Sequence, residues 1–301
     1  MFNQNPYFRT DVASERCADQ RSGALSGIKV TVEEHFGFSV TKTEILNDEG
    51  AAAIGKPIGS YISVSLGKIW LESDERRERC AFLVGKTVRE LLFSSGVIES
   101  VTVCGLGNRH IISDAVGSLC VKELNANLHI MKSDPEIFGL LGSYPYSVLE
   151  PGVTGQTGIE AAEIIKGAAE RIKPSALICI DALASRSVDR LGVTVQISDT
   201  GICPGSGIGN HRSAIDKKAL GLPVIAIGLP TVVSSSTLVL EALEKAGITE
   251  ISDELEAVLH NGRDFFVTMK DADTVVYEVS KIIASAIRIA LSKNINEPSV
   301  I

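Results

Sequence analysis

The stretch ALICIDA (176–182) decides the fold class of this 301-residue chain. Its first five residues are apolar without interruption, so it lacks the alternation of a strand that has one face in solvent. A helical pattern, TGIEAAEIIKGAAERIKP (157–174), precedes it and ends at Pro174. A strand that is apolar on both sides and follows a helix is typical of a parallel sheet with helices on both faces.

The rest of the chain extends this pattern. Between residues 27 and 66 the apolar residues alternate with polar ones, which indicates a meander of short strands. The sequence therefore predicts an α/β fold, with a mainly parallel sheet, helices on both faces and a β-rich N-terminal elaboration. Further strands are expected at VTVCGLGN (101–108), VTVQIS (193–198) and PVIAIGLP (223–230), and further helices near 237–246 and 272–292.

The composition is that of a globular protein, with 45% hydrophobic and 22% charged residues. A formal net charge of -8 repels phosphate backbones, so we expect no direct binding of nucleic acid. Six scattered cysteines without a C-x-x-C pair favour free thiols in a cytoplasmic protein. No stretch predicts a signal peptide or a membrane span, and we expect no membrane association.

The motif ISDTG (197–201) is similar to the Asp-Thr-Gly signature of pepsin-like proteases. Those enzymes are all-β and need a second such triplet, whereas this segment lies in an α/β alternation and has no second copy. The simpler interpretation is that Asp199 caps the turn that follows it, since aspartate readily accepts backbone N–H bonds in loops.

Other enzyme classes find little support. The glycine-rich loops at 105–107 and 205–209 miss the dinucleotide-binding spacing, because His110 and Asn210 stand where the third glycine belongs. No H-E-x-x-H pair and no G-x-S-x-G elbow is encoded, so a common zinc protease and a serine hydrolase are disfavoured. We expect neither a metal nor a cofactor.

Two aspartates remain at positions where parallel sheets place their ligands. Asp114 follows the strand at 101–108 and its glycine turn, and Asp181 ends the apolar part of ALICIDA. Two neighbouring carboxyls can share one proton, so that one acts as a base toward water and the other as an acid. The alternative is that Asp181 caps a turn and Asp114 a helix, which on these residues alone is equally compatible.

Several segments resemble the germination protease family of endospore-forming bacteria, and the resemblance covers nearly the whole chain. Where that family usually has Thr-Pro before its first aspartate, this chain has Ile112-Ser113. The matching segments are GLGNRHIISDAVG (105–117), PGVTGQTGIEAAEII (151–165), IDALASRSVDR (180–190), QISDTGICPGSGIGNHR (196–212) and PVIAIGLPTVV (223–233).

The resemblance implies an atypical aspartic endopeptidase that degrades small acid-soluble spore proteins at germination, inside the spore, as a homotetramer. It assigns catalysis to Asp114 and Asp181 and implies a core like that of hydrogenase maturation peptidases. It also implies a zymogen, because TDVASE (10–15) is similar to the Thr-Glu-Phe-Ala-Ser-Glu sequence of the substrates. Cleavage between Asp11 and Val12 would separate a propeptide, 1–11, from a single peptidase domain, 12–301.

Supporting roles follow as hypotheses. Backbone N–H groups in the turn from Gly105 through Gly107 to Asn108 could hold an oxyanion, and Asp199 could shape the cleft or orient a carboxylate. Arg186, Arg190 and Arg212 are candidate cations for the acidic residue before the cut. Two alternatives stay open: a hydrogenase-maturation-type endopeptidase, and an inactive relative that only binds.

Overall fold

The computed structural model describes residues 10–18, 26–206, 212–248, 250–261, 265–295 and 297, apart from the side chains at 256, 260 and 261. Residues 1–9 of the expected propeptide and 207–211 of the second glycine loop therefore lie outside the described residues.

Within the described ranges the strands form a single nine-stranded sheet. Its order is β1-β2-β3-β7-β8-β6-β4-β5, and β9 pairs with the far end of β8. The strands are β1 (Ile28–His35), β2 (Phe38–Ile45), β3 (Gly59–Ser65), β4 (Val101–Gly105), β5 (Tyr146–Leu149), β6 (Ala176–Ala184), β7 (Thr194–Ser198), β8 (Val224–Ser234) and β9 (Phe266–Thr268).

Helices cover both faces of this sheet. One face packs against α3, α4 and α12, and the other packs against α8. The helices are α1 (Ala13–Ala18), α2 (Asp48–Ile54), α3 (Asp74–Ser94), α4 (Val116–Lys122), α5 (Leu128–Ser133), α6 (Pro135–Leu140), α7 (Thr154–Thr157), α8 (Ala161–Ile172), α9 (Lys217–Leu220), α10 (Ser235–Lys245), α11 (Asp253–Asn261) and α12 (Ala272–Ala290).

The apolar run in β6 serves both layers. Ile178 and Ile180 pack into the core beneath α3 and α12, while Leu177 and Cys179 pack into the core beneath α8. Successive strand residues point to opposite faces, which is why a strand between two helical layers must be apolar throughout. The predicted α/β fold class is confirmed.

The parallel part of the sheet consists of β5, β4, β6 and β8. β7 runs antiparallel to β8, and the N-terminal meander β1-β2-β3 continues the same sheet through the pairing of β3 with β7. The link between β6 and β7 explains the reversal: it spans only residues 185–193, and a parallel crossover needs about a dozen residues or more.

Two local features differ from the sequence-based expectation. Within the region 27–66 that is predicted as a meander of strands, residues 48–54 form a helix, because the Asn47 side chain accepts a hydrogen bond from Gly50 N at 3.0 Å and caps α2. β6 extends to Ala184, so Asp181 lies inside the strand rather than at its end. None of the described helices is both long enough and apolar enough to cross a bilayer.

Candidate active site

Strand pairing aligns the centre of the site. Asp181 on β6 pairs with Gly228 on β8, and Gly228 pairs in turn with Gln196 on β7. Paired residues on neighbouring strands project from the same face, so the Asp181 and Gln196 side chains face the same side of the sheet, about 9–10 Å apart along it. Gly228 has no side chain between them, and all three residues line one cavity of about 590 Å³.

Asp181 is almost completely buried, with 5% of its surface exposed. Burial raises the pKa of its carboxyl well above the ordinary value, and the nearby charges of Asp114 and Asp11 raise it further. Arg212 acts in the opposite direction, as does the hydrogen bond from Ala182 N at 2.9 Å. Asp181 is therefore the carboxyl that keeps a proton most readily.

Asp114 lies near Asp181, since its charge raises the Asp181 pKa, and it follows a turn that glycines make compact. It ends a short 3-10 turn, Ile112–Asp114, which packs against β6, β8 and α12. Gly107 has a φ of 94°, and a side chain there would overlap the backbone oxygen of Asp114. The Asp114 carboxylate accepts a hydrogen bond from Asn108 N at 2.9 Å. Burial raises the pKa of Asp114, while that bond and Arg212 lower it.

Two of the N–H groups in the turn where oxyanion donors were predicted are engaged within the protein. Asn108 N–H is used by Asp114, and Leu106 N–H donates to Ile180 O at 2.8 Å. Gly105 contacts Gly117 of α4, where an added Cβ would overlap the Gly117 oxygen. Gly105, Gly107 and Asn108 thus support the position of Asp114.

The three arginines divide between two places. Arg212 lies near the aspartates, since its charge lowers the pKa of both Asp114 and Asp181. Arg190 donates to Ser14 Oγ at 3.0 Å and lies 3.5 Å from a carboxylate oxygen of Glu15. The Arg186 side chain pairs with Glu244 at 2.9 Å, and its backbone N–H donates to Glu15.

Asp199 joins two strands of the sheet. Its Oδ1 accepts a hydrogen bond from Ser60 N at 2.8 Å, which fastens the start of β3 to the end of β7. Its neighbours Ser198 and Thr200 line the cavity, whereas Asp199 is absent from the described lining residues. The hydrogen bond from Ser60 N and the two neighbours in the cavity wall are compatible with the predicted role of Asp199 in shaping the cleft.

The segment 10–15 lies across the site, and its last three residues begin α1. Glu15 anchors it: this 5% exposed carboxylate accepts hydrogen bonds from Ser185 Oγ at 2.8 Å, Arg186 N at 2.9 Å and Ser187 N at 3.1 Å. The Thr10 hydroxyl also donates to it. A buried carboxylate with this many donors fixes the segment in one position.

Asp11 lies at the other end of the segment, beside Asp181. Its N–H donates to Ala184 O at 2.9 Å, and its carboxylate accepts from Ala184 N at 3.0 Å and Ser206 Oγ at 2.7 Å. Lys56 is the cation that faces it, since the Asp11 charge raises the Lys56 pKa against the larger lowering effect of burial. No pattern in the sequence pointed to Lys56 or Ser206.

The bond between Asp11 and Val12 is thereby held over the sheet. The Asp11 carbonyl oxygen accepts a hydrogen bond from Gln196 Nε2 at 3.1 Å, and Ala13 N donates to Gln196 Oε1 at 2.7 Å. Val12 is completely buried, and its N–H donates to Thr10 Oγ1 at 3.0 Å.

In the described part of the chain no three His, Cys, Asp or Glu side chains come together as a metal site would require.

The raised pKa of Asp181 predicts a pH dependence of stability. Above about pH 4 the unfolded chain loses this proton while the folded protein keeps it. The free energy of unfolding should therefore fall by about 1.4 kcal/mol per pH unit, relative to Asp181→Asn, until the pH passes the folded pKa. Urea unfolding of both proteins between pH 4 and 8 measures this difference; parallel curves would contradict the raised pKa.

Comparison with known proteins defines the class first. Residues 9–246 match the family model described as germination protease. A germination protease of Clostridium perfringens is 38% identical over 286 residues, which cover 88% of this chain and 87% of that protein. One from Caldanaerobacter subterraneus is 35% identical and covers 96% of this chain and 95% of its own. These relatives place the chain among the peptidases.

The chain belongs to the germination protease family. The resemblance found in the sequence is thus confirmed. Among solved structures, a [NiFe] hydrogenase maturation protease, HycI from Thermococcus kodakarensis, is 15% identical, with a TM-score of 0.36, and covers 67% of this chain and 98% of its own. A likeness at that level supports no statement about mechanism.

Proposed function

We propose that this chain is an aspartic endopeptidase of spore germination, made as a zymogen that removes its own residues 1–11. One observation carries the proposal: Asp11, whose carbonyl begins the bond to Val12, lines the same cavity as the buried Asp181. The carboxylates of Asp11 and Glu15 both accept hydrogen bonds, as recognition of a cleavage motif with two acidic residues would require.

In this mechanism Asp114 is the base and Asp181 the acid. Burial raises the pKa of Asp114, but less than that of Asp181, and Asn108 N and Arg212 favour its ionised form, so Asp114 takes a proton from the attacking water. The water oxygen bonds to the carbonyl carbon of the acidic residue. The C–N bond then breaks, and Asp181, which keeps its proton more readily, gives that proton to the leaving nitrogen.

Small acid-soluble spore proteins are the proposed substrates. Their Thr-Glu-Phe-Ala-Ser-Glu sequence would take the course of TDVASE, with the first acid near Lys56 and the second near Arg190. Incubation of the 12–301 form with such a protein, followed by mass spectrometry, tests this assignment. Cleavage after the first acid of the motif supports it, and an intact substrate counts against it.

Self-processing is tested on the full-length chain. Intact mass measurement should record the loss of residues 1–11 and a new N-terminus at Val12. Asp11→Ala should slow this step about 10- to 100-fold, because hydrogen bonds to a charged group are worth about 1.5–3 kcal/mol. Glu99→Ala, which removes an exposed acid distant in sequence, is the control. Equal rates in all three proteins would mean that the contacts of Asp11 do not select the cleavage site.

Two other expectations stay proposals of the same kind. A homotetramer is testable by light scattering, and a location in the spore core by fractionation. The hydrogenase-maturation and inactive-relative alternatives make a common prediction, which is no cleavage of spore proteins; the first further predicts cleavage of a hydrogenase precursor.

A further inference from the structure

The scissile carbonyl of the proposed reaction needs a hydrogen-bond donor. Charge develops on this oxygen as water attacks, and donors placed beside it stabilise the transition state. The glycine turn leaves two of its N–H groups unavailable, because Leu106 N binds Ile180 O and Asn108 N binds Asp114. The described hydrogen bond to this oxygen comes instead from a side chain of β7.

We propose that Gln196 is a catalytic residue, whose side-chain amide polarises the carbonyl of the bond to be cut. Its Nε2 donates to the carbonyl oxygen of Asp11 at 3.1 Å, on the acid side of the proposed cut. This inference rests on the proposed function, because it takes the bond between Asp11 and Val12 as the one that is hydrolysed.

The other end of the same amide fixes the direction of the chain. Gln196 Oε1 accepts from Ala13 N at 2.7 Å, two residues beyond the carbonyl. The Gln196 amide therefore binds the backbone on both sides of the cut. It makes these two hydrogen bonds to main-chain atoms, so they do not depend on the substrate side chains. A substrate segment whose backbone takes the same course, with a free N–H at the equivalent position, can be held in this way.

The sheet keeps this amide in place. Gln196 is 8% exposed and lies on β7 in the same row as Gly228 and Asp181. The carbonyl is held from the β7 side, while Asp181 faces the cavity from β6. An amide on a paired strand is already oriented before the reaction begins, which is the property that an oxyanion donor requires.

The test compares self-processing rates of the full-length chain by intact mass. Gln196→Ala should slow processing about 100- to 1000-fold, the usual effect of removing one oxyanion donor. Thr194→Val, two residues earlier on the same face of β7, is the matched control and should stay near the parent rate.

Gln196→Glu separates polarisation from simple docking. An ionised glutamate still accepts from Ala13 N but cannot donate to the Asp11 carbonyl, whereas a protonated one can do both. We expect this variant to be slow at neutral pH and to recover, relative to the parent at the same pH, on acidification. A variant that processes at the parent rate at neutral pH would reduce Gln196 to a docking contact.

The two proposals fail in different ways. If the parent processes itself and both Gln196 variants match it, the role of Gln196 is wrong and the proposed function stands. If the parent does not process itself and leaves a spore protein intact, the proposed function fails and takes this inference with it.

Discussion

Asp181→Asn and Asp114→Asn are each expected to lower the rate of self-processing, and of spore-protein cleavage, by about 1000-fold or more. General acid and base groups contribute about 10²–10⁴ each, and the reaction proposed here needs both. Since the two carboxyls act as a unit, the double variant should be little slower than either single one. Rates from intact mass measurement, with burst and steady-state phases separated, provide the comparison.

Asp189→Asn is the matched control for this prediction. Its carboxylate is 74% exposed, pairs with Lys245 at 2.9 Å and lies outside the described cavity lining. It should leave the rate within about twofold, as surface substitutions usually do. If Asp181→Asn cuts as well as the parent, the pair is not the catalytic one. Asp199→Asn would then be the next variant to measure.

Gly117→Ala is expected to destabilise the folded protein by about 3 kcal/mol, at the upper end for an overpacked core. An added Cβ would overlap the Ile180 oxygen and the backbone of Leu106. These are backbone atoms of the strand edge that supports both aspartates, so no side chain can move aside to make room. Urea unfolding measures the loss.

Gly167→Ala is expected to have the opposite effect and to increase the free energy of unfolding in the same measurement. Gly167 lies in the middle of α8, and no heavy atom lies within 4 Å of a Cβ built there. Alanine should stabilise that helix by about 0.5–1 kcal/mol. If Gly117→Ala and Gly167→Ala have equal free energies of unfolding, the close approach of α4 to the sheet is wrong.

Part of the site was predictable because it depends on local pattern. The run before Asp181 indicates a buried strand. The segment TDVASE was singled out by its similarity to the substrate sequence of the family. For the first acid the structure adds Lys56, which lines the same cavity as Asp11, while Arg190 contacts Ser14 and Glu15. Lys56 lies in the connection between α2 and β3, and the path of such a connection cannot be predicted from hydrophobic periodicity.

The sequence by itself determined the α/β class, because the periods of strands and helices can be recognised in neighbouring residues. Its motifs indicated the family, and its apolar run put Asp181 at the end of a buried strand. Only the tertiary structure decided that β7 runs antiparallel beside β8 and brings Gln196 to the Asp11 carbonyl, 185 positions away along the chain. The physical reason is that periodicity fixes which face a side chain occupies, while strand pairing, set by loop lengths and core packing, fixes its neighbours.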